Sequence, residues 1–226
     1  MNEEYSTYKR KSIGATEAVI TINIVLFLFC GMFKGLKELG MLWIGNPEDF
    51  NFAVQYTVNN GAYWQLVTSM FLHGSFAHIF FNMYTLYLFG KPIEERWGKL
   101  SFLSYYLATG ILANIASVFF YTFVTKHPAA LLGASGAVYA VILAFAGYYP
   151  NITLLLFFVI PIKTKWAIAL LAGLGIFFQV TESAAGIAHI THLFGFVFGY
   201  LYLLIFFRMN AVKEMFFNKK DYFTYK

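Results

Sequence analysis

Along this 226-residue chain, apolar residues gather into six long runs separated by short polar or basic clusters. The runs predict helices over Glu17–Phe33, Ser75–Arg96, Leu100–Val124, Leu132–Tyr149, Lys165–Val180 and Ile187–Phe207. A hydrocarbon core about 30 Å thick needs about 20 helical residues at about 1.5 Å of rise each. The fourth and fifth runs are short by that measure and contain glycine, which points to local thinning or a cavity that water enters. Two connections stand out. Leu36 to Leu72 is long, holds Trp43, Tyr56, Tyr63 and Trp64 with few charges, and is expected to lie partly in the membrane interface. Asn151–Ile162, "NITLLLFFVIPI", is apolar but too short to span, and Pro161 interrupts it, so an extended or re-entrant segment at the inner face is expected.

Composition supports an integral membrane protein: 59% of residues are hydrophobic, 21% aromatic and only 12% charged. The net charge of +5 does not point to nucleic acid, because the basic residues sit in short clusters between apolar runs. With the N-terminus inside, 13 of the 16 basic residues fall on the inner side and only Lys34, Lys37 and Lys126 on the outer. The first run follows Lys9-Arg10-Lys11 but lacks a small-residue cleavage site, so it reads as a retained span. The expected organisation is an all-α integral membrane protein of the cell membrane: residues 1–16 a cytoplasmic segment, 17–207 a six-helix membrane domain, and 208–226 a cytoplasmic tail. The single Cys30 excludes an intramolecular disulfide and a cysteine metal cage.

Helix parity gives the polar residues a meeting place. Helices two, four and six all enter from the outer side, so their N-terminal ends share one membrane face. In "HGSFAHIFFN", Ser75 reads as an N-cap, which places His78 in the first turn and Asn82 one turn on along the same face. Taken alone, both read equally as interhelical glue. His73 precedes the cap and reads as a loop residue. In "LLGASGAVYA", Ser135 falls at a helix start, where backbone N–H groups lack intrahelical partners and favour an anion. Gly133 and Gly136 permit close backbone approach, and Tyr139 follows Ser135 by one turn; by itself this stretch also reads as a small-residue packing surface. In "AHITHLFGFVFG", His192, Gly195 and Gly199 lie along one helix face at i, i+3 and i+7, directed at a closely packed neighbour for which the fourth helix is the natural choice. His189 sits one turn above His192 and competes with it. His127, beside Pro128, reads as solvated.

Acidic residues narrow the chemistry. The only aspartates are Asp49 and Asp221, far from these helix ends, and Glu182 is the one acid near them. A Ser-His-Asp triad is therefore hard to assemble, an intramembrane aspartyl dyad cannot form, and no HExxH zinc motif occurs. What remains is a serine–histidine dyad whose base is oriented by something other than a carboxylate, with the Tyr139 ring as the candidate.

At this point the sequence resembles the rhomboid family of intramembrane serine proteases. "HGSFAHIFFN", "GASGAVYA" and "HLFGFVFG" carry the resemblance, with "FGKPIEERWG" after the second helix, and it extends from Tyr63 to Phe207. It implies a six-transmembrane-helix bundle of rhomboid type with Ser135 as nucleophile and His192 as general base. It further implies an oxyanion hole of His78, Asn82 and the Ser135 amide, Tyr139 stacked on His192, and Phe81 shaping the substrate cavity. Glu94 and Arg96 match a structural E-x-R segment, whereas Trp64-Gln65 stands where the family usually has Trp-Arg. The implied partners are the transmembrane segments of protein substrates and the lipid bilayer, with no cofactor, no metal and no nucleic acid. A silent rhomboid-like binder would have lost the serine or the histidine, and both are present; a channel or transporter would carry paired charges or symmetric broken helices, and neither is evident.

Overall fold

The computed structural model describes residues 13–33, 35–46, 57–156, 159–181 and 189–218. Glu182, Asp49, Asp221, Lys34 and the first two residues of the sixth expected helix, Ile187 and Ala188, therefore lie outside the described residues. The chain begins with α1 (Ala15–Met32), then α2 (Leu36–Gly40), the strand β1 (Leu42–Ile44), α3 (Gln65–Thr68) and α4 (Phe76–Thr85). It continues through α5 (Lys91–Trp97), α6 (Lys99–Phe119), β2 (Ala129–Leu131), α7 (Ser135–Tyr148), β3 (Thr153–Leu156) and β4 (Ile160–Lys163). The helices α8 (Thr164–Thr181), α9 (His189–Phe206) and α10 (Ala211–Phe216) complete it. The structure is mostly helical, and among the described residues three helices are long and apolar enough to cross a membrane: α1, α6 with its extension to Thr125, and α9.

The second expected helix is composite. A π-helical turn, Leu86–Gly90, joins α4 to α5. Pro92, two residues past that turn, offers no N–H to the Leu88 carbonyl, which accounts for the widened turn before it. Below the turn the residues of the E-x-R segment do structural work. The Glu94 carboxylate, buried, accepts the backbone N–H groups of Ala15 (2.6 Å) and Thr16 (2.8 Å) at the start of α1. Lys91 pairs with Glu17 at 2.7 Å, and the Arg96 guanidinium lies 4.3 Å from the Tyr148 ring centroid.

The connections depart from the all-α expectation. β1 and β2 pair antiparallel, with Leu42 opposite Leu131 and Ile44 opposite Ala129. That ribbon ties the long first connection to the approach to α7. Gln65, in the place of the family's arginine, is fully buried and accepts the Trp43 N–H at 3.1 Å, while Trp64 Nε1 donates to the Leu39 carbonyl. The Asn114 amide on α6 holds the same region through the Leu66 carbonyl (2.8 Å) and Ser69 Oγ (3.1 Å). In the apolar 151–162 segment the described residues are largely extended: β3 and β4 pair antiparallel, with Thr153 opposite Lys163. Beyond Phe207, expected as the start of a tail, the packed structure continues, because Met209, Ala211 and Met215 are buried and α10 docks on α7 near Gly147.

The centre of the bundle is α7. Eleven of its residues, among them Gly136, Ala137, Ala140, Ala144 and Ala146, are buried. Such small side chains let neighbouring backbones come close, which supplies packing where lipid offers no hydrophobic driving force. A Cβ on Gly195 of α9 would overlap the Gly136 carbonyl, and one on Gly199 would stand 2.9 Å from Ala140 Cβ. On the α6 side, the buried Tyr105 hydroxyl donates to the Ala140 carbonyl at 2.7 Å.

Candidate active site

Ser75 Oγ accepts the His78 N–H at 3.2 Å and so caps α4. That start fixes His78 in the first turn and Asn82 one turn below, where its Nδ2 donates to the His78 carbonyl at 2.9 Å. An amide nitrogen carries two hydrogens, so one remains for another acceptor. His78 Nδ1 accepts the Gly74 N–H at 3.4 Å. In the neutral ring this leaves the proton on Nε2. That nitrogen faces Gly133, where a Cβ would come within 2.7 Å of it. Gly133 has φ of 120°, and its N–H donates to the Ser69 carbonyl at 2.9 Å. Glycine is thus required there twice over, by the backbone conformation and by the imidazole above it.

Ser135 is the first residue of α7, after Ala134, so its N–H belongs to the first turn, which has no acceptor within the helix. Its hydroxyl lies 2.8 Å from His192 Nε2 across the α7–α9 contact. The Tyr139 ring stacks on His192 with centroids 4.3 Å apart and planes 16° apart, and Phe196 meets Tyr139 at a tilt, with centroids 5.0 Å apart. One residue before His192, Thr191 exchanges a buried hydrogen bond of 2.7 Å with Ser117 Oγ on α6. The two glycine contacts set how near α9 stands to α7, and this hydroxyl pair sets its rotation.

Ser135, His192, His78, Asn82, Tyr139 and Phe81 line one cavity of about 770 Å³. The other walls are mostly apolar, with Leu131 and Leu132 before α7, Ile142 on α7 and Leu171 on α8, and add the hydroxyls of Ser75 and Thr85. No carboxylate among the described residues lines it. Phe81 is largely exposed. His189 meets His192 edge-on at 6.3 Å and does not line the cavity; nor does His127. His73, outside the cavity lining, is buried against His78 with ring centroids 4.9 Å apart. Burial, with His78 beside it, pushes the His73 imidazole down to about 3, so it is uncharged at neutral pH.

The structure therefore brings together in one cavity the six side chains that the sequence picked from three motifs, and puts the four glycines beside them. It adds contacts that spacing did not reveal. The Ser117–Thr191 pair was visible only as two hydroxyls on apolar helices, and the fit of Gly133 under His78 had no local signature beyond the glycine.

A hydroxyl hydrogen-bonded to an imidazole, with N–H donors converging from two helices, can perform nucleophilic acyl transfer. Comparisons with known proteins give the chain its relatives. The family model described as Rhomboid domain matches residues 60–209. The chain is 32% identical over 167 residues to rhomboid protease GluP of Bacillus subtilis, covering 74% of this chain and 30% of that protein. It is 33% identical over 123 residues to rhomboid-like protein 11, chloroplastic, of Arabidopsis thaliana (54% and 37%). It is also 31% identical over 207 residues to presenilin-associated rhomboid-like protein A, mitochondrial, of Danio rerio (83% and 52%). The matched stretches thus span about a third to a half of these relatives.

Proposed function

The chain belongs to the rhomboid family, and from that premise we propose that it is an intramembrane serine endopeptidase working through a Ser135–His192 dyad. The observation that carries the proposal is the 2.8 Å contact between Ser135 Oγ and His192 Nε2 inside a cavity also lined by His78 and Asn82. In the proposed reaction, Ser135 Oγ attacks a substrate carbonyl as His192 Nε2 takes the hydroxyl proton. The tetrahedral oxygen is held by His78 Nε2–H, the second Asn82 amide hydrogen and the Ser135 N–H, each needed about 2.7–3.1 Å from it. The peptide C–N bond then breaks as His192 returns the proton to the leaving amine. Water entering the cavity attacks the acyl-enzyme by the same route and restores Ser135. Tyr139, stacked on His192, takes over the orienting task that an aspartate performs in a triad.

The proposed architecture is a six-helix membrane domain over residues 17–207, flanked by cytoplasmic segments 1–16 and 208–226. In it α1, α4–α5, α6, α7, α8 and α9 form the crossings of a cell membrane. The excess of basic residues on one side supports an active site that opens outward. A substrate helix hides its carbonyls in its own hydrogen bonds, so the proposed substrate is a transmembrane segment that unwinds near its outer end, cut beside small or helix-weakening residues.

Reconstituted full-length protein is expected to cleave a fluorogenic transmembrane substrate, and S135A and H192A to abolish cleavage. A serine-directed fluorophosphonate should label the wild type and not S135A. Equal cleavage by wild type and S135A refutes the proposal. H189A losing turnover while H192A keeps it would reassign the base.

A further inference from the structure

His73 is only 3% exposed, and neither ring nitrogen has a hydrogen-bond partner among the described residues. Its polarity gains nothing where it sits. What it offers is a ring, placed edge to face against His78 with the planes 72° apart and the centroids 4.9 Å apart. His78 is otherwise steered by light contacts: a long bond of 3.4 Å from the Gly74 N–H to Nδ1, and the Gly133 backbone under Nε2. Neither contact stops the ring from rotating out of its place above Gly133, which would turn Nε2 off the part of the cavity beside Ser135. A buried ring packed against it does.

We infer that His73 is a positioning residue for His78: its ring, packed edge to face, holds His78 Nε2–H aimed into the cavity where the oxyanion forms. This rests on the reading of His78 as an oxyanion donor. His73 touches no reacting atom, and because neither of its nitrogens is engaged, a phenylalanine ring meets the same requirement.

The test compares full-length wild type, H73A, H73F, H78A and H73A/H78A in one lipid mixture with one transmembrane substrate. Thermal unfolding checks that each variant is folded. Losing one oxyanion donor typically costs about 10²–10³ in rate, and misaiming one should cost a fraction of that. H73A is expected to lower kcat by about 10-fold with KM within about twofold, as for an interaction made only in the transition state. H73F is expected to keep kcat within about threefold of wild type, with no lower melting temperature. If His73 acts through His78, H73A/H78A is no slower than H78A; an independent packing role would multiply the two losses.

H73A indistinguishable from wild type overturns the inference. So does a folded H73F as impaired as H73A, or a double variant slower than H78A by the whole H73A factor. If H73A does not fold, H73F still decides between them. Absence of Ser135-dependent cleavage in the wild type would instead refute the protease proposal, leaving the two failures distinguishable.

Discussion

Replacing Glu94 by alanine removes the acceptor for two backbone N–H groups at the start of α1. Ala15 and Thr16 are both buried, so no solvent takes its place. A buried donor left without a partner costs about 1–3 kcal/mol, and an anion at a helix N-terminus contributes about 0.3–1 kcal/mol more. E94A is therefore expected to lose about 2–7 kcal/mol, a large share of the stability of a domain this size. E94Q keeps one acceptor oxygen but turns an NH₂ group toward the other N–H, so it should fall between wild type and alanine. The neighbouring Lys91–Glu17 pair gives an internal contrast. Both side chains are more than a third exposed (34% and 43%) and solvent screens their attraction, so K91A should be nearly silent. The assay is reversible unfolding in mixed detergent micelles, followed by loss of helical signal, with cleavage per folded molecule measured alongside. Since Glu94 does not line the cavity, turnover by the folded fraction should be unchanged. E94A within about 0.5 kcal/mol of wild type, well under the cost of one orphaned donor, would refute the capping argument.

Other substitutions probe the site itself. G133A puts a methyl group against His78 Nε2 at a backbone conformation of φ 120°, and should lower kcat by about 10²–10³ as measured by single-turnover cleavage. G195A forces a methyl group into the Gly136 carbonyl and should destabilise the fold by about 1–3 kcal/mol or more, read from unfolding midpoints. Y139F should retain most activity because the stacked ring is preserved, whereas Y139A frees His192 and should cost up to about 100-fold in kcat. T191V breaks the bond to Ser117, whose hydroxyl keeps its bond to the Ala113 carbonyl, so stability should fall by only about 1 kcal/mol; kcat should fall more than that loss alone explains.

How far the sequence could be read depended on how local each feature is. Ser75 as a cap and the His78–Asn82 and His192–Gly195–Gly199 spacings follow from helix geometry over a single turn or two, and the structure reproduces them. The composite second helix was hidden because an apolar run looks the same whether its turns hold 3.6 residues or more; only Gly90 and Pro92 hinted at the break. α7, buried on nearly every side, has no polar face to announce its neighbours, so its contacts with α6 and α10 were not legible. The β1–β2 ribbon pairs residues nearly ninety positions apart, beyond any local pattern. Gln65 was conspicuous as a departure from the family, but its bond to the Trp43 N–H depends on that same distant ribbon.

Ser135 and His192 stand 57 residues apart and meet only because α9 docks against α7 through Gly195 and Gly199, and against α6 through Thr191. A growing chain that has been made as far as α8 already holds the serine, both side-chain donors and most of the cavity wall. It has nothing to accept the hydroxyl proton. On the proposed mechanism, Ser135 would stay inert among other nascent spans until α9 arrives and the pair forms in a single docking event. The order of synthesis thereby doubles as a safety catch, released by completion of the fold.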